Sequence, residues 1–347
     1  MRRFILLLFL SGTMGIPTSA APDKSDPEVN FEAFWSKFEQ KYPFFETRGI
    51  DWQQQYDKFR PLVTGRTGNQ QLFEILSDMV QPLEDGHVSL SKNGNKYCPG
   101  DGTLYFYREF DDDSVKDLRR VTEETLRSKG FGKTEKLGPI LQYSKSDHFG
   151  YLRIIEFEGV KRSKLNKKLD QLMVSFSDCE GVIIDIRANP GGYDSFAVDI
   201  ANRFTDQRRL GYIRETQQSP GKFKAPQKHY LEPVKGRAFK SPVILLTNDA
   251  SASAAEVFAM SMKELPHVTI VGDRTEGIFS DMMETKLPNG WRYTLPHQVY
   301  WTPDGKCYED IGVPADVKVI NKRADLESRI DPLIITAMER LQINSGS

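Results

Sequence analysis

Two serines, Ser251 and Ser253, stand in "TNDASASAAEVFAM", just past an apolar run. A hydroxyl becomes a nucleophile when a base takes its proton and donors hold the oxyanion that follows. Ser253 falls where a strand ends and a helix begins. There the first helical amides are free and the helix dipole favours negative charge. The same residues also spell an S-x-x-E capping box, Ser253 to Glu256, which needs no chemistry. Ser251 fits a cap or a turn equally well. The small residues Ala250, Ala252, Ala254 and Ala255 leave room for a polypeptide backbone, or for a helix packed close on a sheet.

A second element of the same kind is "IDIRANPGGYD". Gly191 and Gly192 can take dihedrals closed to other residues and let a ligand approach the backbone. Their amides can form half of an oxyanion hole; the plain alternative is a tight turn entered through Asn189-Pro190. Five histidines are candidate bases: His87, His148, His229, His267 and His297. Spacing does not choose among them. In "KCYEDIGVPADVKV", Glu309 and Asp310 precede Gly312, and either carboxylate can hold an imidazole in one tautomer.

Positioning these groups requires a sheet. From residue 149 onward apolar strands alternate with helices: "GYLRIIEFEG", "GVIIDIRA", "SPVILLTN" and "HVTIVGD" read as strands. "SKLNKKLDQLMVSF", "SFAVDIANRF" and "SAAEVFAMSMKEL" read as helices. Apolar strands separated by helices predict an α/β fold with a mainly parallel sheet covered on both faces. Residues 28–82 read as helices, with Phe31, Phe34, Trp35 and Phe38 on one apolar face. Between them, "LYFYREF" reads as a strand. "SVKDLRRVTEETLRSKG" reads as a helix that starts at Ser114 and stops at Gly130. Asp111 to Asp113 read as a solvated turn, and 217–230 as a polar loop.

The chain has 347 residues, 39% hydrophobic and 27% charged, which suits a globular core in one large and one smaller domain. Its 47 basic and 48 acidic residues leave a net charge of −1, so no bulk charge draws it to nucleic acid. Residues 1–21 have the layout of a secretory signal peptide: Arg2 and Arg3, an apolar run from Phe4 to Leu10, then small residues before Pro22. No later segment is apolar enough to span a bilayer. Export allows one disulfide among Cys98, Cys179 and Cys307, with one cysteine left over. The division expected is 1–21 signal peptide, 22–82 helical domain and 83–347 α/β core.

Taken in order, "GVIIDIRANPGG", "PVILLTNDASASAAEVFA", "VTIVGDRTEG" and "YEDIGVPADVKV" resemble the C-terminal processing and tricorn-core serine peptidases. The photoreceptor retinoid-binding repeats are of the same superfamily. The likeness is strong over roughly 150–320 and extends back to about 28 through "LEDGHVSL". It implies a ClpP/crotonase-like core and acyl-enzyme hydrolysis of a peptide or protein substrate without metal or organic cofactor. It makes Ser253, not Ser251, the nucleophile. It implies an oxyanion hole from Ala254 and either Gly191 or Gly192.

The branches of this family differ in their base. Where processing proteases carry a lysine, this sequence has Ile278, and the nearest lysine is Lys286. The tricorn-like branch takes a histidine from a D-G-H element, which His87 matches, and orients it with a glutamate, which Glu309 matches. Gly86 stands where tricorn has a serine, so a triad is expected rather than a tetrad. The stretch from His87 to Gly150 is too short for the PDZ domain usual in processing proteases. A non-catalytic binder of an apolar ligand and a small-molecule esterase or amidase are the competing readings. Localisation is expected to be periplasmic or extracellular.

Overall fold

Val182, Ile183 and Ile184, and Val243 through Leu246, are wholly buried, as strands covered on both faces must be. They lie at the centre of a seven-stranded sheet in a computed structural model that describes residues 23–100, 104–234 and 238–345. Its order is Val317–Lys318, Val268–Gly272, Val243–Thr247, Gly181–Asp185, Phe149–Ile154, Leu141–Lys145, Glu135–Lys136. The first five run parallel, Leu141–Lys145 runs against them, and Glu135–Lys136 is in turn antiparallel to Leu141–Lys145.

Side chains alternate across this sheet. Val182, Ile184, Val243 and Leu245 face one layer, where they meet the helices Arg162–Ser175, Asp194–Ala201 and Ala254–Lys263. Ile183, Ile244 and Leu246 face the other, against Asp112–Ser128 and Pro332–Ser345. The expected α/β architecture with a mainly parallel sheet is therefore present. The signal segment expected at 1–21 lies outside the described residues.

A second core joins distant parts of the chain. The helices Pro27–Lys41, Trp52–Phe59 and Asn69–Val80 bury Phe31, Phe34, Phe38 and Leu76 against Tyr293, Leu295 and Val299. An antiparallel sheet of Met282–Lys286, Arg292–Pro296, Ser89–Lys92 and Asn95–Tyr97 lies alongside. The helical region thus shares its core with strands beyond residue 83.

Three local expectations are corrected. "LYFYREF" forms the short helix Tyr105–Glu109, because Phe106 and Phe110, four apart, both turn inward beside Ala250. Asp111 to Asp113 are exposed, as expected, but they open a helix and do not form a turn: Asp111, not Ser114, is the N-cap of Asp112–Ser128, accepting from Ser114 N–H at 2.9 Å. The polar stretch 217–230 is mostly strand: Arg209–Ser219 pairs with Lys222–Phe223 and Gln227–Leu231. Pro220-Gly221 makes the turn of that hairpin, with Gly221 at φ 65. Cys179, buried, and Cys307, part-buried, are free thiols.

Candidate active site

The glycine turn and the serine loop leave the carboxyl ends of two neighbouring parallel strands, paired Leu246 to Asp185. Ligands of open α/β sheets gather at such ends. Arg187, buried, fixes the start of the glycine turn. It grips Asp185 at 2.6 Å and Asp331, ahead of the last helix, at 2.9 Å. Asn189 continues the hold: Nδ2 donates to Ile154 O, Oδ1 accepts Gly191 N–H, and its carbonyl accepts Ala252 N–H, each at 2.9 Å.

The two serines have different surroundings. Ser251 is wholly buried; its hydroxyl donates to Ile186 O at 2.8 Å and accepts Asn248 N–H at 3.2 Å. Asn248 Oδ1 in turn accepts Ala188 N–H at 2.8 Å. Ser251 is a staple between the two loops. Ser253 is half-buried on the cleft wall at φ 57 and ψ −121, a conformation that L residues rarely hold. It is the N-cap of Ala254–Lys263 and forms the expected capping box with Glu256. Glu256 does more than cap. Its carboxylate accepts from Ser253 N–H, Thr275 Oγ1, Gly277 N–H and Ile278 N–H, tying the serine to the loop opposite. Burial pushes it up to about 7 against the pull of those four donors.

Gly191, at φ 98, touches the serine loop. A Cβ on it would lie 2.7 Å from Ser253 Cβ and 2.9 Å from Ala254 N. Its own N–H is committed to Asn189, whereas the amides of Gly192 and Ala254 carry no hydrogen bond among the described residues. The free donors beside Ser253 are therefore Gly192 and Ala254.

His87 lines the same cleft, of about 600 Å³, and is the one histidine among the described residues to do so. It follows the helical region and enters the strand Ser89–Lys92. Asp85 Oδ1 accepts its N–H at 2.8 Å, and Thr294 Oγ1 donates to its carbonyl at 2.9 Å. Burial lowers the imidazole below its ordinary value, opposed chiefly by Asp85 and Asp281. The other histidines lie elsewhere. His148 pairs with Glu180 at 2.7 Å, His229 stacks on Tyr212 at 4.4 Å, and His297 contacts Asp281 O at 3.0 Å. His267 precedes the strand Val268–Gly272.

Glu309 lies buried beneath the cleft and not on its wall. Oε2 accepts Phe279 N–H at 3.0 Å, while burial and nearby Asp85 hold its carboxyl well above the usual range. His87 Nδ1 and Glu309 Oε1 are both buried without a hydrogen-bond partner. Asp310, the other carboxylate of the motif, turns away to Arg48 at 2.9 Å.

The reading of the sequence passed over Asp85, Arg48, Arg187 and Asn248, and took Asn189 only as the entry to a turn. Asp85 had a signal, because an Asp two residues before a loop N–H commonly closes such a turn. Arg48 had none, since its partners are far away in the chain.

A strained serine at a helix N-terminus, beside a glycine turn over a parallel sheet, is a layout of the α/β serine hydrolases. Residues 148–319 match peptidase family S41, and residues 23–81 match the tricorn protease C1 domain. The carboxy-terminal processing protease CtpA of Bacillus subtilis is 27% identical over 174 residues, covering 50% of this chain and 35% of that one. The tricorn protease of Thermoplasma acidophilum is 27% identical over 173 residues, covering 49% of this chain and 15% of that one. A solved structure of a candidate peptidase from Parabacteroides merdae matches with a TM-score of 0.79 at 28% identity, covering 91% of this chain and 97% of that one. The chain thus carries a serine peptidase domain of family S41 behind a tricorn protease C1 domain. It spans from 35% to 45% of the length of the first curated relatives it matches.

Proposed function

We propose that this chain is a serine peptidase that cleaves peptide bonds through an acyl-enzyme on Ser253. His87 removes the Ser253 proton as the hydroxyl attacks the peptide carbonyl. Ala254 and Gly192 donate their amides to the oxyanion. His87 then gives the proton to the leaving amine, and water hydrolyses the ester by the reverse sequence. Glu309 orients the imidazole by closing on Nδ1, where each group now has an unpaired buried atom. The supporting observation is that Ser253, His87 and the glycine turn, far apart in sequence, line one cleft. Exposed Tyr107, Tyr193 and Met282 give it an apolar rim suited to a peptide's side chains.

The signal layout of residues 1–21 supports an activity in the periplasm or outside the cell. Among the described residues no helix is long and apolar enough to cross a membrane.

The test is fluorophosphonate labelling of the wild type beside Ser253→Ala and His87→Ala, followed by comparison of peptide and ester substrates. Labelling lost in both variants, with peptide turnover, is expected. An unlabelled wild type would return the apolar-binder reading, and turnover of esters alone would return the esterase.

A further inference from the structure

His87 Nδ1, Glu309 Oε1 and Arg48 Nε are each buried without a hydrogen-bond partner, and the charges of Asp85 and Arg48 act on both His87 and Glu309. Arg48 comes from the N-terminal helical region, and the chemistry above makes no use of it. Its side chain is 6% exposed. Nη1 donates to Leu83 O at 2.8 Å and pairs with Asp310 Oδ1 at 2.9 Å. Nε lies 3.8 Å from Asp85 Oδ2. That Asp85 oxygen accepts the Tyr42 hydroxyl at 2.8 Å, and its other oxygen holds the His87 N–H.

These contacts join the two segments that must cooperate. Leu83 and Asp85 frame the turn that presents His87. Asp310 adjoins Glu309 and sits at φ 65, a strained value for a residue with a side chain, its N–H bonded to Gly277 O at 2.7 Å. Asp85 and Glu309 are both buried, and the Asp85 carboxylate raises the cost of ionising Glu309. Arg48 is the cation that acts on both. Buried carboxylates left without a cation take up protons or move apart.

We propose that Arg48 is the positioning residue that sets His87 and Glu309 against each other, gripping the turn of the base through Asp85 and the loop of the carboxylate through Asp310. This rests on the reading of His87 as the base.

The groups facing the imidazole fix the sign of its pH response. Asp85, Asp281 and the Ser280 carbonyl favour the imidazolium, Arg48 opposes it, and Glu276 lies against the neighbouring Gly86. Removing the Arg48 charge raises the His87 pKa, so the base stays protonated to a higher pH.

The experiment measures kcat, KM and the pH profile of fluorophosphonate labelling for Arg48→Met. Arg60→Met serves as control, because Arg60 pairs with Glu28 and Glu32 in the same helical region, away from the cleft. Expected for Arg48→Met are a kcat lowered tenfold or more, a KM within twofold, and an acid limb moved to higher pH. Arg60→Met leaves all three unchanged. A folded Arg48→Met with wild-type kcat and acid limb overturns the proposal. If Arg48→Met does not fold, Asp310→Asn decides, since that side chain is 45% exposed and tolerates the change. A lower kcat at constant KM supports the proposal, and an unchanged kcat overturns it. Labelling of His87→Ala at the wild-type rate would instead show that the base is wrongly assigned, and the proposal falls with that reading.

Discussion

Asn189 Oδ1 accepts the Gly191 N–H at 2.9 Å. The carbonyl of the same asparagine accepts Ala252 N–H, so one residue sets the spacing between the glycine turn and the serine loop. Asn189→Ala would leave the Gly191 amide and the Ile154 carbonyl buried and unpaired, at about 1–3 kcal/mol each. The expected outcome is a lower melting temperature together with a loss of fluorophosphonate labelling. Asn189→Asp, which retains the acceptor, should recover part of the labelling.

The two serines should separate cleanly. Ser253→Ala removes a helix cap and should cost about 1 kcal/mol of stability while abolishing labelling. Ser251→Ala breaks the buried staple and should cost about 1–3 kcal/mol, yet the folded fraction should still label. Denaturant melts beside labelling gels check both. Loss of labelling in a well-folded Ser251→Ala alone would reverse the assignment.

The pH dependence follows from the burial of His87. Its imidazole is held below the ordinary value, so the neutral ring persists to a lower pH than in a free histidine. Labelling should be flat near pH 7 and decline only below about 6.5. Because the unfolded chain takes up this proton at higher pH than the folded one, His87 also withdraws stability as the pH falls through about 6.5. Asp281→Asn should move the acid limb lower still, by a small amount, since that carboxylate is exposed and its field is screened. A limb moving upward would contradict the arrangement.

Glu276 on the cleft wall gives a change of opposite sign. Burial, with Glu256, Asp85 and Asp249, pushes its carboxyl up to about 8. In the unfolded chain it ionises near the usual carboxylate value, so its contribution to stability is lost as pH rises from about 4.3 toward 8. Glu276→Gln should therefore raise the melting temperature at pH 8.5 and leave it nearly unchanged at pH 4. Thermal melts at the two pH values check it; an equal gain at both would mean packing, not charge.

Much of the fold was legible because buried parallel strands are continuous apolar runs: "GVIID" and "VILLT" name themselves. The helix around Phe106 was hidden, because aromatic residues suit strands as well as helices and only the four-residue spacing of Phe106 and Phe110 tells them apart. The hairpin of Arg209–Ser219 was hidden for another reason. Its strands face solvent on one side and so carry the polar residues of a loop. Within the site, Ser253 and the glycines were visible because their chemistry is local: a strand end, a turn, a helix start. Asn189 stood in the quoted motif but read only as a turn former, since its three partners lie on separate segments. Arg48 was invisible, because a cation shows its purpose only once Asp85 and Asp310 have been brought to it.

The strand that carries His87 into the fold is zipped to a strand more than two hundred residues later, with Ser89 opposite Thr294. The helices before it share a core with that same late segment. Chains are made from the N-terminus, and contacts this distant must await their partners. The helices and strand before residue 93 therefore cannot finish their interior until residues 287–299 exist. The turn of His87 is set only after those late strands have been made, so a chain that stops short of them holds Ser253 without that turn beside it.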